Sequence, residues 1–114
     1  MANSVSINEK IKNFNNKIEV DGDKSLSIRW ALMASQAIGR SRAYNILNSE
    51  DVNNSLISLK KLGIKIKKKN NFCEIVSKGL NSFSYKNNTI VNAGNSGTFA
   101  RLIMGVLSNC KKTV

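Results

Sequence analysis

Two short segments place cations and small polar groups where helices would begin. One is Gly22-Asp23-Lys24-Ser25, with Arg29 four positions after Ser25; the other is Asn92-Ala93-Gly94-Asn95-Ser96-Gly97-Thr98, with Arg101 one turn further on. A helix start exposes unpaired N–H groups and partial positive charge, which suits phosphate or carboxylate. That dipole contributes only about 0.3–1 kcal/mol in exposed settings, so tight binding needs side-chain cations as well. Lys24 offers a mobile point charge and Arg29 a bidentate fork, each charge-assisted bond contributing about 1.5–3 kcal/mol. Ser25 and Arg29 project from one helix face. Gly97, lacking a Cβ, lets a backbone N–H approach a ligand closely, while Asn95 and Thr98 add polar contacts. Each segment also admits a blander account: Ser25 as a helix cap beside two solvated cations, and glycines that merely turn the chain. Two such segments in one small unit shift the balance toward an anion pocket.

The elements that must position these groups are legible in the hydrophobic pattern. Lys17 to Val20 reads as a short strand, and Leu26, Trp30, Met33 and Ala37 recur at helical spacing before Gly39 stops the helix. Ala43 to Leu47 reads as a second strand. Ser49-Glu50-Asp51 supplies a cap and first-turn acids for a helix carrying Val52, Leu56, Leu59 and Leu62, which Gly63 ends. Ile64 and Ile66 alternate with lysines, Lys69-Asn70-Asn71 turns the chain, and Phe72 to Val76 returns as the partner of a hairpin. Thr89 to Val91 reads as a strand running into the second segment, and Phe99, Leu102, Ile103 and Val106 mark a third helix. The alternation predicts an α/β layered architecture. Lys111 to Val114 has the look of a further strand, which implies that the chain is shorter than its natural folding unit.

Composition narrows the function classes. The 114 residues suffice for one modest core, and 41% hydrophobic with 22% charged residues is a globular balance. No apolar run approaches the ~20 residues of a membrane span and the start lacks a signal-peptide core, so the expected address is the cytoplasm, with no membrane partner. Cys73 and Cys110 lie far apart in apolar contexts without partners at metal spacing, which favours buried reduced thiols and no metal site. The net charge of +11 raises a nucleic-acid hypothesis, but the lysines sit beside asparagines without interleaved aromatics, and an enzyme of anionic substrates gains equally from positive steering.

With these residues in view, the chain resembles the 5-enolpyruvylshikimate-3-phosphate synthase family. The segments GDKSLSIRWALMASQAIGRSRAYNILNSEDVNNSLISLKKLGIKI and NAGNSGTFARLIMGVL look like its first repeat, in order and with matching spacing, from about Ile18 onward. The resemblance implies an α/β fold of the enolpyruvyl transferase type, present as an incomplete first βαβαββ repeat of a two-domain protein. Residues 1–21 would belong to the other domain and 22–114 to the truncated repeat of the substrate-binding domain. It also implies transfer of the enolpyruvyl group of phosphoenolpyruvate to the 5-hydroxyl of shikimate 3-phosphate, in a monomer, without metal or organic cofactor. By position, Lys24 would contact both substrates, Ser25 and Arg29 would hold shikimate 3-phosphate, and Asn95 and Gly97 would line the phosphoenolpyruvate pocket. The acid and base would come from beyond Val114, leaving no catalytic proton-transfer group here. The sister family that acts on a UDP-linked amino sugar has asparagine after the key lysine and a reactive loop cysteine. Here Ser25 follows Lys24, and Cys110 comes directly off an apolar helix.

Overall fold

The computed structural model describes residues 3–10, 12, 13, 15–112 and 114. Its elements are α1 (Lys24–Gln36), β1 (Ile38–Ala43), α2 (Glu50–Lys61), β2 (Lys65–Lys69), β3 (Phe72–Lys78) and α3 (Gly97–Leu107). The strands form one antiparallel sheet in the order β1-β3-β2. Helix α1 packs on β3 and also touches α2 and α3, so helices cover one sheet face and leave the other to solvent.

The hairpin forms where the alternation places it. Ile66 pairs with Ile75 and Lys69 with Phe72, and Asn70 adopts a φ of 51° at the turn, a left-handed conformation that asparagine tolerates well. Helix α2 also matches its pattern. Ser49 caps it by accepting from the Val52 N–H at 3.4 Å, and Val52, Leu56, Leu59 and Leu62 are all buried.

Three expectations are corrected. The strand read at Ala43 to Leu47 lies earlier, at Ile38–Ala43, directly after α1. Its register explains the miss: Gly39, Ser41 and Ala43 oppose the inward residues Ser77, Ile75 and Cys73, so β1 carries no large apolar side chain on its inner positions. Helix α1 exists as predicted but buries Ile28, Ala31, Leu32 and Ser35, while Leu26 is 64% and Met33 74% exposed. The helix has apolar residues on two faces, and periodicity alone cannot choose between them. Lys17 to Val20 and Thr89 to Val91 do not form strands; side chains of the folded unit hold Val20 and, just past the second segment, Asn92. Asn45 Nδ2 donates to the Val20 carbonyl at 2.8 Å, and Ser58 Oγ both donates to the Asn92 carbonyl and accepts from its N–H. The strand expected at 111–114 includes Thr113, which lies outside the described residues.

The solvent face of the sheet is strongly basic, with Arg40, Arg42, Lys65 and Lys67 around the acid Glu74. Tyr44 stacks obliquely on Phe72 with ring centroids 5.2 Å apart, so one exposed ring, Tyr44 on a half-buried Phe72, does accompany these cations. Arg42 Nε donates to Glu74 Oε2 at 2.9 Å and Arg40 lies 3.6 Å from the same oxygen. The Arg42 hydrogen bond, helped by the charges of Arg40, Arg42 and Lys67 and opposed by partial desolvation, holds the Glu74 carboxyl below its ordinary value. A carboxyl whose pKa is lower folded than unfolded binds fewer protons when folded. Its stabilisation is therefore complete above the unfolded value and disappears as pH falls through the folded one. Glu74→Gln is accordingly expected to lower the melting temperature at neutral pH and to converge on wild type at pH low enough to protonate Glu74 in the folded chain. A pH series of thermal melts checks this; a constant difference down to acid would show that the glutamate acts only by packing.

Cys73 is fully buried on β3 and burial pushes its thiol pKa up, which makes it a poor nucleophile. Cys110 is half-buried after α3, so the expectation of two buried thiols holds fully for Cys73 alone.

Candidate functional site

The entry to α1 is built around a close backbone crossing. A Cβ placed on Gly22 would lie 2.1 Å from the Asn45 carbonyl oxygen and 2.7 Å from the Leu47 nitrogen, so this position admits only glycine. From there Asp23 caps the helix, its carboxylate accepting from the Leu26 N–H at 2.7 Å while its carbonyl accepts from Ser27. Asp23, not Ser25, is therefore the capping residue. The Ser27 hydroxyl accepts from the Leu47 N–H at 3.0 Å and pins the helix start to the crossing. Lys24 and Arg29 are exposed and Ser25 is half-buried. The first two N–H groups of the helix, those of Lys24 and Ser25, have no intrahelical acceptor.

The second junction has the same design. Ser96 is buried and caps α3 by accepting from the Phe99 N–H at 3.1 Å, and its carbonyl accepts from Ala100. Gly97 and Thr98 thus stand at the helix start with N–H groups that have no intrahelical acceptor. The Arg101 guanidinium folds back toward this turn, with Nη1 3.5 Å from where a Gly97 Cβ would sit.

What joins the two junctions is the first turn of α2. Asp51 Oδ2 lies 3.1 Å from Lys24 Nζ, and Asp51 Oδ1 accepts from the Asn95 N–H at 3.2 Å. The Lys24 ammonium and the Asn95 amide are therefore separated by no more than one carboxylate and its two hydrogen bonds. Further along the same helix, Asn54 packs under Gly94, where a Cβ would lie 2.7 Å from Asn54 Nδ2, and Ser58 holds Asn92. Residues 92–95 run along a polar stripe of Asp51, Asn54 and Ser58, toward the α2 N-terminus. Arg29 lies one turn into α1 and opens onto a groove between α1 and α3 lined by Leu32, Met33, Leu102 and Val106.

The structure thus brings Lys24 and Asn95 together through Asp51, with Gly97 and Arg101 on the adjoining helix turn and Arg29 on the α1 side of the α1–α3 groove. Among the described residues, neither the Ser25 hydroxyl nor the Arg29 guanidinium is engaged by another side chain. Asp51 was the missed residue. In sequence it reads as a first-turn acid, and only the spacing of Asp51, Asn54 and Ser58 hints at a polar face covered by a loop. No cluster of three or more potential metal ligands occurs among the described residues, and no helix among them is long and apolar enough to cross a membrane.

The family model for EPSP synthase (3-phosphoshikimate 1-carboxyvinyltransferase) matches residues 8–114, nearly the whole chain. The chain belongs to the EPSP synthase family. The 3-phosphoshikimate 1-carboxyvinyltransferase of Syntrophomonas wolfei is 37% identical over 102 residues, covering 90% of this chain and 24% of that protein. That of Streptococcus mutans is 38% identical over 97 residues, covering 85% and 22%. Among solved structures, EPSP synthase from Acinetobacter baumannii superposes with a TM-score of 0.69 at 33% identity, covering 82% of this chain and 21% of that one. The chain spans less than a quarter of the length of these relatives, consistent with the incomplete α/β unit expected from its sequence.

Proposed function

We propose that this chain forms the first part of an EPSP synthase active site, which transfers the enolpyruvyl group of phosphoenolpyruvate to the 5-hydroxyl of shikimate 3-phosphate and releases phosphate. The observation that carries this is the Asp51 bridge, which gathers Lys24 at the start of α1 and the Asn95 turn leading into α3 into one corner, where each helix keeps first-turn N–H groups without an intrahelical acceptor. Lys24 contacts both substrates, Ser25 and Arg29 hold shikimate 3-phosphate, and Asn95 and Gly97 line the phosphoenolpyruvate pocket. Such cations stabilise the charge on carboxylate and phosphate as the hydroxyl adds to the enol carbon and phosphate leaves. The proton-transfer groups lie in the remaining three-quarters of the enzyme, with residues 1–21 contributing to the other domain and 22–114 to the first repeat. On this reading the enzyme is a cytoplasmic monomer of small anionic substrates that uses neither metal, organic cofactor nor nucleic acid.

The test is a graft. Residues 8–114 replace the matching segment of the Syntrophomonas wolfei protein, and phosphate release is measured with both substrates. Turnover that requires both substrates is the expected result, while a cooperatively melting graft that releases no phosphate would overturn the reading. The 114-residue chain alone is expected to be silent.

Gly97→Ala in the graft separates pocket from turn. The space for a Cβ is open apart from Arg101 at 3.5 Å, so stability is expected to stay within about 0.5 kcal/mol. A ligand held against the Gly97 backbone would meet the new methyl, raising the phosphoenolpyruvate Michaelis constant about tenfold or more. An unchanged Michaelis constant would reduce Gly97 to a turn residue.

A further inference from the structure

Lys24 is the cation on which the functional reading depends most, yet it is a long, exposed side chain with four rotatable bonds. Left to itself it would sweep a wide arc and spend little time over the second junction. The structure supplies a restraint from a third element. The Asp51 carboxylate uses one oxygen on the Lys24 ammonium and the other on the Asn95 amide. Asp51 is itself held: its side chain is 16% exposed against 47% for Lys24, and its own carbonyl accepts from the Ser55 hydroxyl at 2.8 Å.

We infer that Asp51 is a positioning residue, a fixed carboxylate that aims Lys24 at the turn carrying Asn95 and Gly97 so that both ends of one anion are met together. This inference rests on the functional reading above and deepens it. Asp51 touches no substrate; it acts through Lys24 and the 92–97 turn. An ammonium has three N–H donors and Asp51 takes one, so two stay available to an incoming carboxylate or phosphate while the aim is kept. The two oxygens do separable jobs. One orients the lysine by charge. The other anchors the turn by a hydrogen bond that a neutral amide oxygen can also accept.

A fixed anion near the site also repels an anionic ligand, and this sets the sign of the expected effect. The lysine end of the bridge is exposed, where water and salt screen a charge that is not in contact with the ligand. A lysine already immobilised by Asp51 has less rotamer freedom left to lose on binding, and no salt screens that saving. Positioning therefore outweighs repulsion.

The experiment uses the graft described above, in which the rest of the cleft is present, labelled to observe the Lys24 side-chain nitrogen and the backbone amides, and titrated with phosphoenolpyruvate. In Asp51→Ala both the Lys24 ammonium and the Asn95 amide resonances are expected to move, whereas Asp51→Asn should move the lysine and leave Asn95 hydrogen-bonded. Asp51→Asn should weaken phosphoenolpyruvate about three- to tenfold. In a Lys24→Met background the same change should alter affinity by less than about twofold, because its route through the lysine is gone. Stronger binding in Asp51→Asn, or equal weakening with and without Lys24, would overturn the positioning role. So would Lys24 and Asn95 resonances that ignore Asp51→Ala while the wild type binds normally. A wild-type spectrum with no response to phosphoenolpyruvate would instead overturn the functional reading, and with it Asp51's role toward that ligand.

Discussion

Gly22→Ala is expected to destabilise the chain by about 3 kcal/mol or more, lowering the melting temperature by about 10 °C or more. The φ of Gly22 is not positive, so the reason is contact and not conformation. The added methyl would meet the backbone of residues 45–47 with the Asn45 oxygen at 2.1 Å, and backbone cannot rotate away as a side-chain tip can. Relief requires the α1 entry to separate from the segment joining β1 to α2, which strains the Ser27–Leu47 hydrogen bond and displaces Asp23 and Lys24. Gly105→Ala is the control: it lies inside α3 with nothing within 4 Å of the Cβ position, and should gain about 0.5–1 kcal/mol from helix propensity. Urea or thermal unfolding of both variants checks the pair. A Gly22 variant as stable as wild type would mean that the crossing can open at little cost.

In the graft described above, Lys24→Met is expected to lower kcat/KM by about 10²-fold or more. Two charge-assisted contacts of about 1.5–3 kcal/mol each, one to each substrate, are removed together, and methionine keeps the length of the stem without the charge. Stability should change little, because the lysine is exposed and its ion pair with Asp51 is of the surface kind, typically contributing under about 1 kcal/mol. Loss confined to one substrate's Michaelis constant would show that Lys24 serves only that substrate. Full activity would remove it from the site altogether.

Much of the scaffold was legible because it is specified locally. Helix α2 carries a cap, first-turn acids, a single apolar stripe and a terminating glycine, so only one arrangement satisfies its backbone and its core at once. The β2–β3 hairpin is similarly explicit, with alternating isoleucines and an asparagine able to take a positive φ. The two junction segments were readable because helix-start chemistry is confined to three or four consecutive residues. Strand β1 was not legible where it lies. Its inward positions are glycine, serine and alanine, and its arginines gain a reason only from Glu74, 32 residues downstream of Arg42.

From its sequence by itself, the three helices, the β2–β3 hairpin, the α/β class, the family and a list of candidate anion-binding residues follow, because periodicity, capping and turn chemistry act over a few residues and motif spacing is conveyed by order alone. Tertiary structure decided which apolar stripe of α1 faces the core, since Ile28, Ala31 and Leu32 compete with Leu26, Trp30 and Met33 and the outcome depends on β3, α2 and α3. It decided that Gly22 serves a backbone crossing, and that Asp51, 27 residues from Lys24 and 44 from Asn95, holds both. A carboxylate reveals its partners only when distant segments meet, because hydrogen bonds and ion pairs form at about 3 Å in space and are indifferent to separation along the chain.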